Sequence, residues 1–448
     1  MAVPTAQHRE SKEQTPGSNF LAWIRRTGAS IASPVFAVVL AMVAGGVVIM
    51  ITTSGSLSDR FSAAASAYQA LWQGSFGSLQ SLSFTLVIVG PLIFAGISVA
   101  IAFRAGLFNI GAEGQLAVGS IVACAIGLNA THWPGWLLIP TMVIASALAG
   151  AVWGGIAGAL KAWRGAHEVV TTIMLNWIAF FLADYFISGP LKDPTQANST
   201  SALPSQGTFP TISSFYNATL GAFLPKIATP DQYFVDVTFI FAIVALIIYW
   251  FIYARTTFGY EIRVIGLNPK AARYAGIPVK LNTFAVMALA GAFAGLGGAF
   301  RLMGQFPYYL SGSTFRIDYV GFDAIGVALL GRTTAIGVFF AALLFGGLRQ
   351  GAGLMQLSAD VPGDLVYIIQ ALVLFCIAAD FLTAIRHAWP GWLTFRRKPS
   401  LATAGGDLTI ADLPGDENEG IRSERMIDIG SQASDLTAEQ NSEESFDS

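Results

Sequence analysis

Ten apolar stretches separated by short polar breaks organise the chain, at 31–53, 83–103, 111–131, 136–160, 168–187, 237–254, 281–302, 320–331, 333–350 and 363–385. Most approach or exceed the roughly 20 residues a helix needs to cross a hydrocarbon core. The pattern therefore predicts an all-α polytopic membrane protein with about ten transmembrane helices. Two stretches are irregular. Segment 320–331 is short and punctuated by glycine, and reads as a full crossing or as a re-entrant half-helix. Segment 104–120 carries Asn109, Glu113 and Gln115 among glycines, so its start reads as a broken helix or as a clean span. Non-helical backbone survives at membrane depth only beside protein or water, which is why such interruptions mark permeation pathways. Spans two to five and seven to ten pair as two four-helix units of opposite orientation. This predicts an inverted repeat in which the two irregular segments fall at comparable places.

The polar segments complete the domain plan. Residues 1–30 form an N-terminal segment without a cleavable signal pattern, and 31–390 is the membrane domain. A long Pro-, Ser- and Thr-rich connection, 188–236, is a docking surface or a passive spacer on one side. A basic connection, 255–280, lies on the other. From Pro399 onward twelve acids face two arginines, leaving 23 basic and 15 acidic residues in 1–398. So acidic and aromatic-poor a segment cannot bury enough surface to fold, and 391–448 reads as a disordered cytoplasmic tail.

Charge also orients the spans. With the N-terminus inside, seventeen Lys and Arg fall on the cytoplasmic side. Six fall opposite: Arg60, Lys192, Lys226, Arg301, Arg316 and Arg349. The asymmetry places both termini in the cytoplasm. Overall the chain is 54% hydrophobic and 12% charged, about half the charged fraction of a soluble domain.

Ionisable residues inside the apolar runs are few, namely Glu113, Glu168, Asp184, Asp323 and Asp380, and each must face protein or water. Glu113 lies in RAGLFNIGAEGQLAVGS. There Asn109, Glu113 and Gln115 either line a pathway or form a structural polar knot. Glu168 opens the fifth span, where a carboxylate suits the helix dipole. Thr172 and Asn176 follow one helical turn apart, facing a solute or gluing helices together. Asp323 is a pathway or interfacial group. The two cysteines and four histidines show no ligand spacing, so no metal site is expected. Neither a phosphate-binding Gly-rich loop ending in Lys-Ser/Thr nor a catalytic constellation is present. The chain is expected to transport rather than catalyse, binding no cofactor itself. An ion gradient or a separate ATPase would drive it.

Segment 255–280 reads RTTFGYEIRVIGLNPKAARYAGIPVK. Asn268-Pro269 is an N-cap followed by proline at the first helical position, and Gly276-Ile277-Pro278 ends the turn or two that follows. A short basic helix between spans is a docking element or a capped connector.

The motifs RAGLFNIGAEGQLAVGS, EVVTTIMLN, GLNPKAARYAGI and GFDAIGVALLGRTTAIG, in that order, resemble the permease subunits of bacterial ABC importers. The resemblance is to the branch that serves nucleosides and simple sugars with a basic-membrane-protein-type lipoprotein receptor, and it covers about 31–390. It implies a ten-span type II importer fold in the bacterial cell membrane. The implied partners are a second related permease, a cytoplasmic ABC ATPase that uses the ATP, and an extracytoplasmic substrate-binding lipoprotein. It also implies that a Glu-Ala-Ala-x-x-x-Gly loop docks on the ATPase. Here Lys270-Ala271-Ala272-Arg273-Tyr274-Ala275-Gly276 stands in its place, with Lys for Glu and without the Ile-x-Leu-Pro that follows in the broader pattern. Asn268 and Pro269 open this coupling element. An ion-coupled carrier of a small polar solute is the alternative.

Overall fold

The computed structural model describes residues 16–221, 225–312 and 314–378. The acidic tail 391–448, residues 1–15 and the last part of the tenth apolar stretch lie outside the described residues. The order is α1 (Pro16–Thr52), α2 (Leu57–Phe76), α3 (Leu79–Arg104), α4 (Ala112–Asn129), α5 (Gly135–Arg164), α6 (Glu168–Ser188), α7 (Ile212–Thr219) and α8 (Thr238–Arg255). It continues with α9 (Thr257–Leu267), α10 (Pro269–Tyr274), α11 (Val279–Gly304), α12 (Thr314–Ile317), α13 (Val320–Leu330), α14 (Ala335–Ala359) and α15 (Leu365–Ala378). Among the described residues there are isolated β-bridges but no strand.

Eight helices are long and apolar enough to cross a membrane, and α13 and α15 are shorter apolar helices. Together they reproduce the ten predicted stretches, with two boundary corrections. Helix α1 begins at Pro16 rather than 31, although its apolar span is Ala32–Thr52. Helix α14 runs on to Ala359, nine residues past the predicted end.

Helix α2 was not expected. Its apolar face is made of small residues, Ala64, Ala67, Ala70, Gly74 and Ser75 with Leu71, so its hydropathy falls below that of a span although its period is helical. The signal that reveals it is the Ser56–Asp59 capping box, in which each side chain bonds the other's backbone N–H. Ser75 Oγ donates to Gly347 O at 2.5 Å and Tyr68 OH donates to Met42 O, so α2 seals α14 and α1.

The core is built on close helix contacts. In α5 and α11 glycines recur every fourth residue, and the two helices run antiparallel. A Cβ on Gly150 would lie 2.9 Å from Gly295 Cα, and one on Gly291 would lie 3.1 Å from Gly154 Cα. Such spacing lets backbones touch, the usual device where lipid gives helices no hydrophobic reason to associate. Helix α3 packs on α13 and α14, while α11 packs on α4 and α5, and α3 and α11 pack on each other. The first helix of each predicted four-helix unit thus lies against the second and third spans of the other. The register of α3 on α11, Phe94 at Gly297 and Val87 at Gln305, is antiparallel. Both features are those of the predicted inverted repeat.

The 188–236 connection is folded rather than slack. Asn217 closes it through Ile227 N and O at 2.9 and 3.0 Å. Thr200 N, Leu203 N and Phe209 N donate to Leu310, Tyr308 and Met303 carbonyls at 2.9–3.0 Å, tying it to the approach to α13. Asp236 opens α8 by accepting from Thr238 N at 2.8 Å. Burial pushes its carboxyl above the usual range, against the pull of the Thr238 hydrogen bonds. A folded-state pKa raised in this way stabilises at low pH, and that contribution is lost as pH rises through the raised value. Asp236→Asn keeps an acceptor for Thr238 and carries no charge to desolvate. Its melting temperature should gain on that of the wild type as the pH rises above the ordinary aspartate value of 3.8.

Candidate functional site

Two interrupted helices begin face to face inside the bundle. After α3 ends at Arg104, residues 105–111 run back along it without helical structure, and α4 starts at Ala112. Ser98, six residues or about 9 Å of helix before Arg104, accepts from Asn109 Nδ2 at 3.0 Å, so α4 starts below the end of its neighbour. On the other side 305–319 leads back to α13, whose 11 residues span about half a hydrocarbon core. The two first turns touch. A Cβ on Gly321 would lie 2.6 Å from Glu113 Cα, and Glu113 Oε2 accepts from Gly321 N at 2.5 Å. The fully buried Glu113 thus caps the other helix's N-terminus, where backbone N–H groups and the dipole favour a carboxylate. Its second oxygen has no hydrogen-bond partner among the described residues. Segment 320–331 is therefore a half-length helix but not a re-entrant one. The chain from Gln305, bonded to Val87, to Thr333, bonded to Arg104, passes along α3 to its far end. Segment 104–120 begins broken.

A polar knot holds the α4 side of this seam. Asn109 and Gln115 exchange amide hydrogen bonds at 2.9 and 3.0 Å. Asn176 of α6 accepts from Gly114 N and donates to Ile110 O, both at 2.9 Å. Thr172 Oγ1 bonds back to Glu168 O at 2.8 Å, and Glu168 pairs with Lys161 at 2.8 Å across the α5–α6 turn. Of the residues singled out in sequence, Asn109, Gln115 and Asn176 brace the seam, with Thr172 packed beside it against Gly111. Glu168 lies apart, at the turn.

Charges hold the α13 side. Asp318 accepts from Arg301 of α11 and from Arg349 of α14, the latter at 2.7 Å, and Arg349 lies 3.6 Å from Asp323. Arg301 and Arg349 were expected to flank the membrane as outer surface charges. Instead their side chains are largely buried, turned inward to the half-buried Asp318 and, for Arg349, towards the mostly buried Asp323. The signal was their position inside apolar runs, where a lone arginine needs a partner.

Beside the seam, Ile173, Asn176, Trp177 and Phe180 of α6 and Tyr319 and Phe322 of the α13 start enclose a cavity of about 290 Å³. Trp177–Phe180 and Tyr319–Phe322 are each edge-to-face pairs at 5.8 Å.

The 255–280 segment is helical in both halves. The first half, expected as loop, is α9, capped by Thr256 on Gly259 N at 3.0 Å and burying Gly259, Ile262 and Ile265. The second is α10 as predicted. Asn268 Oδ1 accepts from Lys270 N and Ala271 N at 3.0 and 3.1 Å, Pro269 is the first helical residue, and Gly276 takes φ +78° after the cap. Ala272 is fully buried, while Leu267 and Tyr274 are 88% and 93% exposed. Lys270, Ala271 and Arg273 are also exposed.

This protruding element is wired to the half-helix. The ring of Tyr253 sits between the guanidinium groups of Arg104 at 4.2 Å and Arg263 of α9 at 4.9 Å. Arg104 donates to Tyr253 OH at 2.6 Å and twice to Thr333 O at 3.0 and 3.2 Å, where Tyr249 OH also donates at 2.5 Å. Thr333 lies in the turn that ends α13.

Interrupted helices meeting at a buried carboxylate, close-packed glycine seams and an exposed, capped α10 suit a transport subunit, and the chain as a whole is similar in sequence to known ones. The family described as "Branched-chain amino acid transport system / permease component" matches residues 81–378. The guanosine ABC transporter permease protein NupP of Bacillus subtilis is 38% identical over 78% of this chain and 93% of its own length. The nucleoside ABC transporter permease protein NupB of Lactococcus lactis is 37% identical over 71% of this chain and 84% of its own length. The glucose ABC transporter permease protein TsgB13 of Haloferax volcanii is 34% identical over 84% of this chain and 94% of its own length. No solved structure shows significant similarity to the chain. The chain belongs to the permease-component family of ABC transporters, as a multi-pass membrane protein.

Proposed function

We propose that this chain forms part of the translocation pathway of an ATP-driven importer of nucleosides or related simple sugars. The observation that carries the ATP-driven part is α10. A capped helix that presents Leu267 and Tyr274 to solvent beside basic residues is an anchor for a separate protein. The chain itself has no phosphate-binding loop that would make it its own motor. The proposed partner is a cytoplasmic ABC ATPase, and on this reading α10 and both termini face the cytoplasm of a bacterial cell.

The solute class is supported by the relatives, two of which carry guanosine or nucleoside in their names. A second permease is supported by a more distant likeness, 28% identity, to NupQ, a second guanosine permease of the organism that carries NupP. The remaining partner is an extracytoplasmic substrate-binding lipoprotein. The folded 188–236 segment is the surface proposed to receive it, since its backbone is bonded to residues 303–311 that lead into α13.

Proteoliposomes holding the chain with its second permease, ATPase and receptor should accumulate labelled guanosine only when ATP is supplied to the ATPase side. Accumulation that persists without ATP and collapses with an ionophore would establish the ion-coupled alternative instead.

A further inference from the structure

The cavity between α6 and the start of α13 has a composition that selects its occupant. At about 290 Å³ it lies at the lower limit of small-molecule sites and takes a single ring system rather than an extended solute. Four of its six lining residues are aromatic, two from each helix, and none is charged. Its one amide, on Asn176, is already committed at both ends to Gly114 N and Ile110 O. An anionic solute would lose its hydration with no counter-charge in return, and a cation would gain only ring faces, with no carboxylate in the lining beside it. A free sugar packs its C–H face on such rings, but its several hydroxyls find only the Tyr319 hydroxyl and the Trp177 indole N–H in the lining. The rest pay for their desolvation. A neutral planar heterocycle loses little and gains stacking, which is tolerant of the identity of the base because every base has a π-face.

The rings are held for that use. Tyr319 sits at φ +45°, a conformation that a bulky residue adopts only when its surroundings enforce it. The enforcement is visible next to it, where Asp318 is gripped by Arg301 and Arg349. Trp177 and Tyr319 remain about half exposed, at 53% and 45%, so ring surface is open to a ligand on both walls.

We propose that this cavity is a ring-stacking subsite that takes the planar base of a nucleoside on its way past the α4–α13 seam, with Trp177, Tyr319 and Phe322 as its specificity-determining residues. The proposal rests on the nucleoside-import reading and goes beyond it by naming the part of the solute that the permease itself recognises.

The test uses the complete reconstituted transporter. Trp177→Leu and Phe322→Leu keep an apolar side chain without a π-face, and each should raise the KM for guanosine roughly tenfold or more. Trp177→Phe and Phe322→Tyr should stay within about twofold. All four variants should assemble with the ATPase in the same amount as the wild type. Leucine variants with the wild-type KM, or ring-preserving variants as impaired as leucine, would overturn the proposal, the first showing lipid-facing rings and the second a packing role. A second readout separates this from the import reading. Guanosine added to the purified chain should quench tryptophan fluorescence saturably, and the quenching should be lost in Trp177→Phe. Quenching without ATP-dependent uptake would sink the import reading and keep the subsite. Guanosine uptake with unaltered leucine variants would sink the subsite and keep the import reading.

Discussion

Gly321→Val is expected to reduce uptake at least tenfold while the chain still inserts and folds. Residue 321 lies where the first turns of α13 and α4 touch, and even a Cβ there would lie 2.6 Å from Glu113 Cα. The opposing atoms are backbone at a helix start, not the end of a flexible side chain, so the two helices must separate. Overpacking of this kind costs about 1–3 kcal/mol, which the remaining helix contacts absorb. Separation also breaks the hydrogen bond from Gly321 N to Glu113 Oε2, leaving a buried carboxylate without its donor. Gly353→Ala is the matched control, since a Cβ at Gly353 meets nothing within 4 Å. Glu113→Gln divides the effect further, because the amide oxygen still accepts from Gly321 while the charge is gone. Uptake by Gly321→Val within twofold of wild type would show that the seam is not on the pathway.

The second large effect is expected at the other end of the relay. Replacing Leu267 and Tyr274 together with serine should abolish ATP-driven uptake and leave the melting temperature of the chain within about a degree. Both side chains are almost fully exposed, so their loss removes no internal packing, and surface changes of this kind usually stay within about 0.5 kcal/mol. An aromatic anchor at an interface is worth about 2 kcal/mol or more, roughly thirtyfold in affinity. ATP hydrolysis measured on the assembled transporter should then cease to respond to substrate. A double variant that still couples hydrolysis to uptake would mean that α10 is a connector. Ala272→Asp approaches the same element from inside, because it places a charge at a fully buried position and should unfold α10.

Much of this was legible in the residues. The α10 helix was readable because each of its signals is local, namely an asparagine cap, a first-turn proline and a glycine at positive φ. The ten apolar stretches were readable because bilayer thickness sets a length that composition alone can meet. Helix α2 was not, since its buried face is alanine and glycine, and small residues bury helices against helices without raising hydropathy. Helix α9 was hidden for a related reason. It buries only Gly259, Ile262 and Ile265 within a basic sequence that looks like loop.

The candidate site was half visible. Glu113 and Asp323 drew attention as carboxylates in apolar runs, and the glycine-rich starts of the two interrupted helices marked where backbone would break. Arg301 and Arg349 were assigned to the outer surface, because a charge count by segment cannot tell a flanking arginine from a buried one. Their role depends on Asp318 reaching both from a different part of the chain. Asn109, Gln115 and Asn176 looked equally suited to solute or structure until their hydrogen bonds closed on one another.

The sequence by itself determined the class of molecule, the number and order of its apolar helices and the capped helix α10, because hydropathy and capping act within a few residues. Only the tertiary structure decided which charges are buried together, that α4 and α13 begin against each other, and that four rings from α6 and α13 enclose a cavity. Those pairings join residues up to about two hundred positions apart, as Glu113 joins Gly321. Their partners are chosen by helix packing, which no local pattern along the chain records.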